Sequence, residues 1–148
     1  MGILKNTEKL AVDANPILSA IIGGSARAVF LAAKETIFYT TSFNFKRVEK
    51  YIPVLSSKRK IPLEGLYMAL SLLPVTVCDM EFYKNKMAQA KRMLVKRCPE
   101  DAHLLALSLK LDCPVWSNDR DFEGLGIKVY STWAEIMRGR FCGPFLLL

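Results

Sequence analysis

Residues 10–15 read Leu-Ala-Val-Asp-Ala-Asn, an apolar run that stops at an acid. We interpret the run as a short buried strand followed by a helix, with Asp13 where the strand ends. A second apolar run, residues 113–116, is followed by Asp119 and Asp121. Neighbouring parallel strands of an α/β sheet bring their carboxyl ends to one crevice. The sequence therefore predicts that these acids lie close together.

A further acid, Asp101, opens an amphipathic helix between the two runs. Two carboxylates about 4 Å apart repel by roughly 4 kcal/mol at an effective dielectric constant of about 20. Protons or a cation must offset that repulsion, and a divalent metal is the simplest answer because Mg2+ prefers oxygen ligands.

Along the chain, short apolar runs alternate with amphipathic segments, which is the pattern of an α/β domain. The chain has 148 residues, 51% of them hydrophobic, which suits a single domain with one core. The helices are predicted between the strands, and a final helix starts at residue 131 or 132 with Trp133 facing inward. The strands are predicted at residues 10–13, 36–40, 74–78, 113–117 and 127–130.

Three of the helix predictions depend on a single residue. Ser25 is predicted to be the N-cap of the second helix. Pro53 should kink or divide the helix predicted over residues 42–57, because proline lacks a backbone N–H. Asp79 is predicted to cap one long basic helix over residues 80–97.

The formal net charge is +7, and many of the cations are clustered. One cluster lies at residues 46–60, and another lies at residues 84–97, with no acid between residues 82 and 98. The second consists of Lys84, Lys86, Lys91, Arg92, Lys96 and Arg97. A basic field of this kind would attract a polyanion such as RNA. A solvated helix face is the alternative for either cluster taken alone.

The four cysteines form no C-x-x-C pair, so we expect reduced core thiols in a cytoplasmic protein and not a zinc site. No targeting segment is expected at the N-terminus. The apolar tail at residues 141–148 has eight residues, well short of the roughly 20 that span a bilayer. No membrane partner is therefore predicted, and the tail should pack on its own domain or on another protein.

Three segments together resemble the motifs of the PIN-domain ribonucleases: residues 12–15, 99–106 and 116–122. The resemblance runs from about residue 10 to residue 137. It implies one α/β domain, with a parallel sheet of about five strands sandwiched between helices. It also implies an acidic pocket that binds Mg2+ or Mn2+ at the strand ends.

The resemblance assigns roles to individual acids. The first, third and fourth acids of the family and an additional acid match, in that order, Asp13, Asp101, Asp119 and Asp121. All four are predicted metal ligands, and the first three are also predicted to be catalytic. The second family acid, which is also predicted to be catalytic, comes from the helix after the second strand, where Glu49 is the candidate, although Glu64 on the next helix could be mistaken for it. Asn15 and Ser117 have the hydrogen-bonding reach to support the metal or a phosphate.

Each residue also has a plainer interpretation. Asp13 could merely cap a helix, Asp101 could complement a helix dipole, and Asp119 could sit in an Asx turn. His103 is the single histidine, and we interpret it as a surface or packing residue. Trp116 and Trp133 are interpreted as core residues.

The function predicted from this resemblance is a metal-dependent endoribonuclease, compatible with the toxin of a toxin and antitoxin pair. Its expected partners are RNA, an antitoxin protein and a second copy of the chain. One alternative is a PIN domain that has lost catalysis and only binds RNA. Another is an unrelated α/β domain for a phosphorylated small molecule, which the lack of a G-x-G-x-x-G or Walker loop disfavours.

Overall fold

The computed structural model describes residues 8–95 and 97–131. Within them, five parallel strands form one sheet in the order β3-β2-β1-β4-β5. The strands are β1 Glu8–Val12, β2 Thr36–Thr41, β3 Val75–Cys78, β4 Val115–Trp116 and β5 Val129–Tyr130. The predicted α/β class and the parallel sheet are confirmed.

Helices cover both faces of this sheet. The α-helices are α1 Ala14–Ile21, α2 Ser25–Ala32, α3 Ser42–Arg59, α4 Leu63–Leu72, α5 Met80–Tyr83, α6 Met87–Met93 and α7 Ala102–Leu111. Short 3-10 helices lie at Lys84–Lys86, Pro99–Asp101 and Arg120–Phe122. In the part of the chain that the structure describes, no single helix is long and apolar enough to cross a membrane, although the bent pair of α1 and α2 passes on length and composition.

Strand β1 separates two hydrophobic cores. Leu10 and Val12 point toward α1, α2, α3 and α4 and are completely buried. Ala11 points to the other face and packs with α5, α6 and α7. Successive strand residues face opposite sides of a sheet, so an unbroken apolar run is required wherever both sides are covered. This explains why residues 10–12 carry no polar side chain.

The sheet is also joined by a buried polar contact. Thr40 is completely buried, and its hydroxyl donates a 2.8 Å hydrogen bond to the carbonyl oxygen of Val12. The contact ties the carboxyl end of β2 to that of β1, beside Asp13. A buried hydroxyl must be paired in this way, since an unpaired one costs roughly 1–3 kcal/mol.

The structure corrects the predictions about helix boundaries. Helix α3 runs through Pro53 without a break. Pro53 lies on the exposed side, so the carbonyl group that loses its hydrogen-bond partner can bond to water. Gly24 replaces Ser25 as the N-cap of α2. A Cβ atom on Gly24 would lie 2.9 Å from the carbonyl oxygen of Ser19, so the close approach to α1 requires glycine.

The predicted long basic helix is instead a short helix, a 3-10 turn and a second helix, α5 to α6. Asp79 does precede α5, but its side chain makes no capping hydrogen bond. The break falls at Lys84–Lys86, where Asn85 has low helix propensity.

The described cysteines are free thiols. Cys78 and Cys113 are partly buried, and burial raises the pKa of both, to about 11 for Cys113. Cys98 is exposed, contrary to the prediction of core thiols. Cys142, Trp133, the final helix and the apolar tail lie outside the described residues.

Candidate active site

The candidate site lies at the carboxyl ends of β1 and β4, which are neighbours in the sheet. The chain leaves β1 toward β2 on one side, and β4 lies on the other side. The connections therefore diverge at this point and open a crevice, which is where open α/β sheets bind ligands. Asp13 follows β1, and Ser117 and Asp119 follow β4.

Asp13 is held by three hydrogen bonds from three parts of the chain. The hydroxyl of Ser117 donates to Oδ2 at 2.6 Å. The backbone N–H of Ala14 and the side-chain amide of Asn44 donate to Oδ1, at 2.8 Å and 3.4 Å. Asp13 thus caps α1, as in its plainer interpretation, while its second oxygen is tied to the loop after β4.

Ser117 connects Asp13 to the next acid. The side chain is buried, and its oxygen accepts a 2.9 Å hydrogen bond from the backbone N–H of Asp119 while donating to Asp13. Asp119 in turn accepts a 2.9 Å hydrogen bond from the backbone N–H of Asp121. Asp119 therefore sits in an Asx turn, and this chain of bonds fixes the loop that carries both acids.

Three carboxylates meet at the centre of the crevice. Asp101, Asp119 and Asp121 each place one oxygen within 4.8 Å of the others. Asp101 comes from the 3-10 helix Pro99–Asp101, which leads into the buried helix α7. The Asp101 side chain is buried, and its Oδ2 atom has no hydrogen-bond partner among the described residues.

The surroundings of Asp101 oppose its ionisation. Its pKa is raised from 3.8 to about 8, first by burial, then by hydrogen bonding with Asp121 and by the charges of Asp119, Asp13 and Asp121. A carboxyl group in this position needs either a proton or a cation. A divalent cation fits the donor set, because it accepts several carboxylate oxygens and would pair the orphaned Oδ2 atom.

The chain is similar to known proteins over most of its length. The family model that describes the PIN domain matches residues 11–137. The chain belongs to the PIN-domain family. No curated protein matches.

Two solved structures share the PIN fold. One is VapBC2 from Rickettsia felis bound to a DNA fragment from their promoter, with 12% identity and a TM-score of 0.58 over 82% of this chain and 97% of that chain. The other is FitAcB from Neisseria gonorrhoeae, with 14% identity and a TM-score of 0.54 over 84% of this chain and 98% of that chain.

Within this PIN domain, the structure does not bring Glu49 to the other acids. Glu49 is exposed on α3, five residues after Asn44, whose amide contacts Asp13. Five residues turn a helix by about 140°, so the two side chains leave α3 in different directions. Glu64 is exposed in the first turn of α4. Asn15 is exposed directly beside the site, where it lines two cavities of about 310 Å3 and 380 Å3.

The basic cluster at residues 84–97 is divided by the fold. Lys91 and Arg92 are exposed on α6, Lys86 is half-buried, and exposed Lys84 forms an ion pair with Glu81. Arg97 donates hydrogen bonds to the carbonyl oxygens of two residues in the loop that carries the acids, Asp121 and Glu123. Arg97 thus holds the acidic loop in place. Lys96 lies outside the described residues.

Asn44 is the site residue that sequence reasoning missed. It is buried, and its backbone N–H donates to the hydroxyl of Thr41, the N-cap of α3. The signal was its spacing, because Asn44 lies four residues before the buried Val48 and so shares its side of the helix.

His103 has the packing role expected from the sequence. It stacks on Phe43 at 4.1 Å between ring centroids, and its Nδ1 atom lies 2.9 Å from the hydroxyl of buried Tyr83. Its pKa is lowered, first by burial and then by the charge of Lys91. A neutral ring held in this way joins the start of α3 to α7.

Proposed function

We propose that this PIN domain is a metal-dependent endoribonuclease whose active site is the acidic cluster. The observation that carries the proposal is the buried side chain of Asp101, whose Oδ2 atom has no hydrogen-bond partner in the described chain and whose carboxylate places one oxygen within 4.8 Å of oxygens of Asp119 and Asp121. Gathering the half-buried Asp119 and Asp121 around the buried Asp101 side chain opposes folding through charge repulsion, and a bound cation would offset that repulsion.

Asp101, Asp119 and Asp121 would hold Mg2+ or Mn2+, with Asp13 as a further ligand. A divalent metal bound there would supply an activated water and neutralise negative charge at a phosphodiester group. Ser117 and Asn44 orient Asp13, and the Asx turn orients Asp119. Such supporting contacts matter because a ligand that is free to rotate loses metal affinity. Asn15, exposed at the edge of the site, has the reach to contact a phosphate.

RNA is the proposed substrate because the protein combines a net charge of +7 with an acidic centre. The exposed cations of α6, Lys91 and Arg92, add to the field that attracts a polyanion to that centre. The alternative is a PIN domain that only binds RNA. It predicts that the protein binds RNA without cleaving it.

The toxin role and its partners are proposed from the shared fold. The fold is shared with VapBC2 and FitAcB, the first of which was solved with promoter DNA. An antitoxin protein is accordingly proposed as a partner, together with a second copy of the chain.

The direct test is cleavage of a structured and an unstructured RNA in the presence of Mg2+ or Mn2+. Wild-type protein should cleave, and Asp101→Asn and Asp13→Asn should fall to the level of RNA without protein. Asp112→Asn is the matched control, because Asp112 is an exposed acid at the far end of α7 with a positive φ that asparagine also tolerates. Cleavage by Asp101→Asn, or none by wild type, would refute the proposal.

A further inference from the structure

A groove between α1 and α3 runs up to the acidic site. It has a volume of about 380 Å3 and is lined by Ala14, Asn15, Leu18, Arg47 and Tyr51. Ala14 is the residue after Asp13 and donates its backbone N–H to that carboxylate. A ligand that lies in the groove therefore ends beside Asp13.

One side of α3 carries a line of polar and aromatic side chains, two of which, Arg47 and Tyr51, line this groove. Arg47 and Tyr51 lie three and seven residues after Asn44, and Lys58 lies fourteen residues after it. At about 100° per residue, all four fall within a sector of roughly 60°, and they extend over about 21 Å of helix. Asn44 contacts Asp13 at one end, so the line leads away from the active site.

Arg47 is available to bind an anion. Its guanidinium lies 3.8 Å from the carboxylate of Glu100, and both side chains are about half exposed, at 48% and 58%. A loose, solvated pair of this kind contributes roughly 0–1 kcal/mol, so little is lost when a phosphate replaces Glu100. A guanidinium group can bind a phosphate through two parallel hydrogen bonds. At 3.8 Å, the Glu100 carboxylate makes no such pair of bonds with Arg47.

Tyr51 and Lys58 form the next part of the line. Tyr51 is 37% exposed, although it is a large aromatic residue. The Lys58 ammonium lies 3.4 Å from the Tyr51 hydroxyl and 6.0 Å from the ring centroid. An exposed ring flanked by cations is the arrangement by which proteins bind single-stranded nucleic acid, with a base on the ring and phosphates on the cations.

Resting on the ribonuclease function proposed above, we propose that this groove binds single-stranded RNA next to the phosphodiester that is cleaved. Arg47 contacts a phosphate, Tyr51 stacks on a base, and Lys58 contacts the backbone further along. Among the described residues no carboxylate lines the groove itself, and Glu100, which pairs with Arg47, is the acid that an incoming phosphate replaces there. The cations of α6 lie on the opposite layer of the domain and contribute only long-range attraction.

The test is the binding of a labelled single-stranded RNA, measured by fluorescence anisotropy in an Asp101→Asn background that does not consume the RNA. Arg47→Gln should weaken binding on the order of tenfold. It should also reduce the slope of log affinity against log salt by about 0.7, the value for one phosphate on a single strand. Tyr51→Ala should weaken binding on the order of tenfold with an unchanged salt slope, and Tyr51→Phe should bind as the parent does.

Lys46→Gln is the matched control for charge, since Lys46 is exposed on α3 about 200° around the helix from Asn44. Melting temperatures of all variants check that the fold is intact. Unchanged RNA affinity in both Arg47→Gln and Tyr51→Ala would overturn the proposal that the groove binds RNA. Cleavage by the wild type would be unaffected by that result. A wild type that binds RNA through Arg47 and Tyr51 but never cleaves would overturn the nuclease function and keep the groove.

Discussion

At the residue scale, Asp101 stands out because its pKa is raised far above the ordinary value of an aspartate. It is an acid in a position that suits a neutral group, because it is buried and faces three other carboxyl groups. Its protonated form is favoured in the fold and its ionised form is favoured in the unfolded chain. A metal-binding role explains why an acid is placed there in spite of this cost.

The first prediction follows from the sign of that shift. Without metal, the pKa of Asp101 is about 8 in the folded protein and 3.8 in the unfolded chain. The folded protein therefore keeps a proton on Asp101 over a pH range in which the unfolded chain has released it. The free energy of unfolding should therefore fall as the pH rises from about 4 to 8, because the native state binds more protons. Asp101→Asn should remove this slope and stabilise the metal-free protein at pH 8.

Urea unfolding at a series of pH values in the presence of a chelator measures the effect. Asp112→Asn should keep the wild-type slope, since Asp112 is exposed and distant from the acids. Parallel profiles for wild type and Asp101→Asn would contradict the account.

The second prediction concerns Ser117, which holds Asp13 and Asp119 with one hydroxyl. Ser117→Ala leaves the half-buried N–H of Asp119 and a carboxylate oxygen of Asp13 without their partner, so the free energy of unfolding should fall by roughly 1–3 kcal/mol. Metal affinity should fall with it. Ser71→Ala, which removes an exposed hydroxyl that bonds to its own helix, should change neither, as measured by urea unfolding and metal titration. Equal effects of the two changes would refute the role of Ser117.

At the scale of single elements, the rotation of α3 decides which residue serves the site. Val48, Ile52 and Leu55 are buried, and they fix the inner side of the helix. Asn44 lies on that side and reaches Asp13, whereas Glu49 is exposed. Assigning the second acid from its position after a strand leaves the direction of the side chain undetermined. The spacing from Val48 supplies that direction.

The third prediction compares these two residues of α3. Asn44→Ala should lower RNA cleavage and metal affinity, because Asp13 loses one of its three hydrogen bonds. Glu49→Gln should retain both, since its charge lies away from the acids. Cleavage rates at saturating metal, with melting temperatures to confirm the fold, decide between them. Loss of cleavage in Glu49→Gln alone would restore Glu49 as the second acid.

At the scale of the whole molecule, the sequence predicts the strands and the acids that follow them. Apolar runs and the residues that end them are local features of the sequence. Residues 10–12 are apolar because both faces of β1 are covered by helices. Asp13 comes directly after β1 ends, which is where the crevice opens. The relay through Ser117 joins residues 104 positions apart, so no local pattern could reveal it. The groove along α3 likewise depends on how α1 and α3 pack.

The residues of the candidate site come from the central strand and from both helical layers of the domain. Asp13 follows the central strand, Asp101 leads into α7 on one face, and Asn44 extends from α3 on the other. A metal held there would therefore bind only the folded chain and stabilise it as a whole, by about 2.7 kcal/mol at 100 times its dissociation constant.

The measurement that tests the central claim most directly is isothermal titration of the protein with Mn2+ at pH 7 in two buffers of different ionisation enthalpy. Wild-type protein should bind Mn2+ and release protons, because the cation displaces the proton that Asp101 holds below its pKa of about 8. Asp101→Asn should lose most of the affinity and the proton release, and Asp112→Asn should keep both. Binding by Asp101→Asn with wild-type affinity, or no binding by wild type, would contradict the claim that the acidic cluster is a metal centre.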